Sequence, residues 1–128
     1  NNLGEFLAEK YKDSNIKFSK FKYDRIKEKT KKSSVVILIC MQRDPLESIP
    51  EWEEIASVSM SVQNMWLMCT KLNIGSYWSS PKIIDSIHEF TNLNKGEKCL
   101  GIFYMGNYDK EINIRTPRPV QDKVIWLD

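Results

Sequence analysis

The segment best suited to contact a ligand lies at residues 75–81, between two stretches of helical periodicity. It combines a glycine, two aromatic side chains and three serine hydroxyls directly before Pro81. Ser80 favours a helix N-cap and Pro81 favours the first helical position, so we expect free backbone N–H groups at this helix end. Such an end can bind an anionic or electron-rich group. The alternative is a capped turn between two helices that binds nothing.

The rest of the sequence offers little support for catalysis by side chains. His88, the single histidine, falls in a polar helical stretch and is expected to be a surface residue. Glu51, Glu53 and Glu54 could act as acid–base carboxylates, but the helix dipole explains three acids in a first helical turn more simply. The motifs of phosphate loops, dinucleotide-binding folds and serine hydrolases are absent. No side-chain nucleophile and no metal site are therefore predicted.

The composition is ordinary for one soluble globular domain of 128 residues, with 28% charged and 41% hydrophobic residues. No apolar run reaches the roughly 18 residues of a membrane span. Cys40, Cys69 and Cys99 form no CxxC pair, which favours reduced thiols in a cytoplasmic protein. Residues 1–32 hold ten Lys or Arg against five Asp or Glu, a net charge of +5. Because acids are interleaved, a solvated lysine-rich face is expected rather than a nucleic-acid interface.

Hydrophobic periodicity predicts a fold that mixes helices and strands. An apolar run over 35–40 predicts a strand buried on both faces, and a second strand is predicted over 99–105. A long helix is predicted over 51–73, with apolar side chains in almost every direction, which favours burial against a partner. The other predictions are a short helix within residues 1–10, a polar surface segment over 12–32, a helix from Pro81 to about Thr91 and an extended C-terminal arm.

Three motifs of the chain, the first of them a helix with the turn after it, share the order and spacing of motifs in a known enzyme family. Residues 55–69 (IASVSMSVQNMWLMC) match that family's central helix, and residues 72–78 (LNIGSYW) match the G-L-G-S-x-W turn after it. Residues 99–106 (CLGIFYMG) match its last core strand. Arg115 and Arg118, followed by V-I-W, match a closing R-x-x-R-P…V-x-W arm. Over about residues 33–128 the chain resembles the nitroreductase family of flavoproteins.

The resemblance implies an α+β fold, with a mixed or antiparallel sheet around the long central helix and FMN at a homodimer interface. It implies hydride transfer from NADH or NADPH to FMN, and then to a nitro compound, a quinone or a similar small-molecule acceptor. Trp78, Ser79 and Ser80 would contact the flavin, and Arg118, or else Arg115, would contact its phosphate. The alternative is a non-catalytic flavin-binding or dimerisation protein of the same fold.

The beginning of the sequence departs from the family pattern. Family members carry an R-R-S-x-R segment, whose arginines hold the flavin phosphate, and then an N-x-Q-P-W-x-F strand; neither is present here. Residues 1–7 resemble what normally follows that strand. We therefore expect residues 1–128 to form a single nitroreductase-like domain that lacks the family's N-terminal flavin-phosphate segment.

Overall fold

The fold consists of helices packed on both faces of a small antiparallel sheet. The computed structural model describes residues 2–109, 116 and 119–127. This arrangement confirms the predicted α+β class. The elements, in chain order, are α1 (Leu3–Asp13), α2 (Lys20–Lys32), β1 (Val35–Gln42), α3 (Glu51–Lys71), β2 (Gly75–Ser79), a 3₁₀ helix (Lys82–Glu89), β3 (Glu97–Gly106) and a short 3₁₀ turn (Val120–Lys123).

The sheet has the strand order β1-β3-β2, and both pairs are antiparallel. At its centre Phe103 of β3 lies opposite Ile37 of β1 and Trp78 of β2. Ile102 and Phe103 are completely buried, because β3 has a strand on each side and helices above and below. The outer edges of β1 and β2 have no partner strand in the described part of the chain.

The alternation of side chains along β3 divides the core into two clusters. Ile102 and Tyr104 pack on one face with α1 and the 3₁₀ helix, through residues such as Leu7 and Ile87. Phe103 packs on the other face with α3. The two helical layers therefore pack on opposite faces of the sheet, and each β2 side chain points to one of these two faces.

Helix α3 contacts the sheet through one stripe, in which Val62 and Cys69 are buried. Its first turn is fastened to the end of β1, because the Glu54 carboxylate accepts a hydrogen bond from Arg43 at 2.6 Å and another from the Asp44 N–H at 2.8 Å. No helix of the described residues is long and apolar enough to cross a membrane. The apolar side chains that remain more than half exposed are Trp52, Met60, Leu67 and Met68 of α3 and Leu72, which follows its last turn.

Several predicted elements differ from the structure, among them β1, the 12–32 segment and the helix predicted at Pro81. Strand β1 is two residues longer than predicted and only half-buried, since its outer edge is uncovered and Val35 is exposed. The 12–32 segment contains helix α2, which Ser19 caps by accepting a hydrogen bond from the Lys22 N–H. Its many lysines concealed the helix in the sequence. The predicted helix at Pro81 is a 3₁₀ helix that begins at Lys82.

A register irregularity in β3 fixes the position of β2. Ile39 pairs with Gly101 but Cys40 pairs with Cys99, so Leu100 is an extra residue in β3. Gly101 has φ of 154°, and a Cβ there would lie 2.1 Å from Trp78 Nε1 and 2.7 Å from the Ser79 carbonyl oxygen. Glycine is therefore required where β2 and β3 approach each other.

We expect Gly101→Ala to lower the free energy of unfolding by about 1–3 kcal/mol, because the new methyl group overlaps the backbone of β2. Urea denaturation measures this loss. Gly106→Ala is the control, since its nearest neighbour would be the Lys32 carbonyl oxygen at 3.3 Å, and its loss should be smaller. A Gly101→Ala protein as stable as the parent would contradict the close packing of β2 on β3.

Candidate functional site

A cavity of about 830 Å³ lies between α2, the α1–α2 loop and the junction of β2 with the 3₁₀ helix. We call it the basic cavity, because its lining contains five cationic side chains and no carboxylate. Apolar and aromatic groups, including Tyr11 and Ile83, complete the wall. The cationic residues of the lining are Lys17, Lys22, Arg25, Lys29 and Lys82.

Tyr11 holds the α1–α2 loop against this cavity. Its hydroxyl donates a hydrogen bond to the Lys17 carbonyl at 3.1 Å and accepts one from the Ser19 N–H at 3.0 Å. The Lys22 ammonium lies 4.8 Å from the centre of the Tyr11 ring. A buried aromatic residue thus positions a lysine and the backbone of Ser19 beside an apolar wall, an arrangement suited to a planar ligand with negative charge.

The predicted site residues do not lie together in the structure. Ser79 lines the basic cavity. Its neighbour Trp78 packs in the cluster on the α3 face, because successive residues of a strand point to opposite faces. The Ser80 hydroxyl donates a hydrogen bond to the Leu100 carbonyl at 3.0 Å. Arg115 and Arg118 lie outside the described residues.

Comparison with known proteins identifies the family. The Nitroreductase family profile matches residues 1–107. The chain belongs to the nitroreductase family. The family resemblance is thereby confirmed for the helix, turn and strand motifs, and the match extends through α1 and α2, which the motifs did not include. The arm motif around Arg115 and Arg118 lies beyond the matched residues.

Two relatives show how far the similarity of this nitroreductase-family chain extends. It is 26% identical over 89 residues to the Bacillus subtilis (strain 168) protein named "Putative NAD(P)H nitroreductase YfhC". The match covers 68% of this chain and 45% of that protein, so the chain spans about half the length of this relative. A crystal structure of a nitroreductase-like family protein from Bacillus cereus has a TM-score of 0.69 and 20% identity, and the match covers 97% of this chain and 67% of that chain. At this identity it supports the fold alone.

The predicted helix N-terminus at residues 75–81 is wrong for this nitroreductase-family chain. Gly75–Ser79 is a strand whose residues pair with 102–106 of β3. Stacking of Tyr77 on Tyr104, with ring centres 5.2 Å apart, is the cross-strand contact that favours a strand over a turn. Ser80 does not cap the 3₁₀ helix, since Pro81 occupies the cap position and no side chain bonds to the first turn.

The Trp78 indole N–H has an unusual environment. Nε1 is buried and has no hydrogen-bond partner among the described residues. It lies directly over Gly101, where even a Cβ would be too close. Trp78 thus packs between β2 and β3 on the α3 face of the sheet, whereas Ser79 lines the basic cavity on the opposite face.

The cationic residues of α2 were missed as site residues in the sequence. Lys22, Arg25 and Lys29 were included in a solvated lysine-rich face, yet all three line the basic cavity. Their spacing of three and four residues places them on one side of the helix. That spacing, together with the net charge of +5 in residues 1–32, was the signal available in the sequence.

A second cavity of about 410 Å³ adjoins the first along α2. Arg25 and Lys29 line both cavities, and Tyr77, Tyr104 and Tyr108 form aromatic walls of the second. Burial, with a smaller effect of Tyr77, raises the pKa of Tyr104 to about 12. Tyr104 is therefore a neutral hydroxyl at physiological pH.

The described residues include no cluster of three His, Cys, Asp or Glu side chains that could hold a metal ion. His88 is exposed, as predicted, and its Nδ1 lies 2.6 Å from the Asp85 carbonyl oxygen. The chemistry of the site therefore depends on the cations and hydroxyls of the basic cavity rather than on these groups.

The raised pKa of Tyr104 predicts how stability depends on pH. In the unfolded chain this phenol ionises near its ordinary value of 10.0, but in the folded chain it ionises near 12. The stabilisation that comes from keeping the Tyr104 phenol neutral is fully present below pH 10. It is lost as the pH rises from 10 to about 12. Urea denaturation across this pH range should show the decline, and Tyr104→Phe should reduce its slope. Tyr108→Phe, at an exposed position, should retain it; equal slopes in all three proteins would contradict the assignment.

Proposed function

We propose that this chain is part of an FMN-dependent oxidoreductase that uses NADH or NADPH to reduce nitro compounds, quinones or similar small-molecule acceptors. Family membership supports flavin-dependent oxidoreduction, and the name of the Bacillus subtilis relative points to a nicotinamide donor. The observation that carries the proposal is the basic cavity, which brings Ser79 together with five cationic side chains. Since the chain spans about half of that relative, the proposal concerns the whole protein.

The residues of the basic cavity fit the chemistry of FMN. The flavin ring has broad apolar faces, and the wall formed by Tyr11 and Ile83 can cover one of them. Its polar edge accepts hydrogen bonds, which Lys22 and Ser79 can donate. The phosphate is anionic, and the lining contains no carboxylate that would repel it.

Each residue would contribute binding or orientation, since bound FMN supplies the hydride-transfer chemistry. The Lys22 ammonium would stabilise negative charge on the ring, and Tyr11 would hold that lysine in place. Arg118, or else Arg115, would bind the phosphate by a bidentate guanidinium contact. Flavin contacts of Trp78 and Ser80 stay predictions, since Trp78 packs on the α3 side of the sheet and neither residue lines the basic cavity. The three free cysteines agree with a cytoplasmic location, which we also propose.

Lys22→Gln should weaken FMN binding by about tenfold, because one charge-assisted hydrogen bond to the flavin is lost. Titration of flavin fluorescence or absorbance measures the dissociation constant in the full-length protein. Lys31→Gln is the matched control, since it removes the same charge from an exposed position of α2 outside both cavities. A Lys22→Gln protein with the parent affinity would place the flavin elsewhere.

We further propose that the protein is a homodimer that buries the outer side of α3. Met60 and Leu67 lie two helical turns apart on the side opposite the buried stripe, and both are more than half exposed. Burying such a side chain stabilises by roughly 1.5–3 kcal/mol. The family resemblance implies FMN at a dimer interface, but the basic cavity lies on the opposite face of the sheet from α3, so the flavin site and this interface are separate proposals.

Sedimentation at low micromolar concentration should show a dimer for the full-length protein and a monomer for Leu67→Lys, because a lysine ammonium cannot be buried in an apolar interface without a large cost. Leu46→Lys provides the control, since Leu46 is an exposed leucine of the β1–α3 loop. A monomeric parent protein would rule out the dimer, and a dimeric Leu67→Lys protein would exclude this side of α3.

A further inference from the structure

Four cationic residues form a stripe along α2. Lys22, Arg25, Lys29 and Lys32 follow one another at intervals of three, four and three residues, which places them on one side of the helix. This side faces the two cavities, since each of the four lines at least one of them. Like charges at these spacings repel each other and destabilise a helix. We call this row the cationic stripe. An anion bound in the cavities would reduce the repulsion between its charges.

The cationic stripe is poorly neutralised by the protein. Among the described residues, no carboxylate oxygen lies within the 4.0 Å of an ion pair from Lys22, Arg25 or Lys29. Lys32 alone has a partner, Glu28, at 3.1 Å, and this pair is exposed to solvent. Glu28 also lines the second cavity, so three cations and one carboxylate leave that cavity with a net positive charge, which attracts anionic ligands.

The second cavity adds an aromatic wall to this charge. The Tyr77 ring is partly exposed and stacks on the buried Tyr104, and the Lys29 ammonium lies 5.3 Å from the centre of the Tyr77 ring. Because Arg25 and Lys29 line both cavities, the two cavities adjoin along α2. A rise of 1.5 Å per residue gives a length of roughly 15 Å from Lys22 to Lys32.

We propose that the second cavity binds the adenosine end of NADPH, with its 2′-phosphate held by Arg25, Lys29 and Lys32, so that NADPH is preferred to NADH. The inference rests on the proposed function, in which the nicotinamide reaches the flavin in the basic cavity. Two adjoining cavities suit a dinucleotide, and guanidinium and ammonium groups suit a phosphate monoester. Tyr77 and Tyr108 supply aromatic groups that a purine can contact in this cavity.

Calorimetric titration of the full-length protein with two adenosine nucleotides tests this subsite without flavin turnover. Adenosine 2′,5′-bisphosphate should bind more tightly than adenosine 5′-monophosphate by about tenfold or more, the value of one charge-assisted hydrogen bond to the extra phosphate. Lys32→Gln should remove most of this difference. Lys31→Gln, the neighbouring lysine outside both cavities, should retain it. Equal affinity for both nucleotides, or an unchanged difference in Lys32→Gln, would overturn the proposal.

Steady-state kinetics provide the second measurement. The ratio of kcat/KM for NADPH to kcat/KM for NADH should fall about tenfold in Lys32→Gln and stay at the parent value in Lys31→Gln. The two proposals can fail separately. A protein that binds the bisphosphate selectively but binds no FMN overturns the proposed function and supports the nucleotide subsite. A protein that binds FMN but does not distinguish the nucleotides overturns the subsite alone.

Discussion

The pairing of β3 with a strand on each side is the constraint on which the rest of the structure depends. Ile102 and Phe103 are buried from opposite faces, so α3 must pack on one face while α1, α2 and the 3₁₀ helix pack on the other. The extra residue at Leu100 and the glycine after it then determine how closely β2 can approach. The basic cavity lies at the end of β2, where Ser79 leaves the sheet opposite α2. The site is thus a consequence of sheet geometry.

The elements predicted well from the sequence are those whose hydrophobic pattern is strong. The apolar runs at 35–40 and 99–105 are strands, and the long periodic segment from Glu51 is a helix that ends two residues before the predicted boundary. Helix α2 was missed because its lysines obscure the few apolar residues that contact α1. Strand β2 was missed because glycine and serine flank its two aromatic residues, whose cross-strand partners lie about 25 residues later.

The candidate site was predictable only in part, because the sequence does not show which face of the sheet each residue occupies. Trp78, Ser79 and Ser80 could contact one ligand together only in a turn, where neighbouring side chains can face the same ligand. In a strand they alternate, so Ser79 alone of the three lines the basic cavity. The contribution of α2 depends on a contact between its cationic side and β2. Charge spacing indicates such a side, but only the fold shows what it faces.

The uncovered outer edge of β1 has a consequence for handling the protein. This strand is eight residues long and carries no charged side chain, and its outer backbone groups have no partner strand in the described part of the chain. An edge of this kind is a template on which another copy can add a strand, and successive additions lead to aggregates. While such an edge is unpaired during synthesis or refolding, it favours aggregation between copies of the chain.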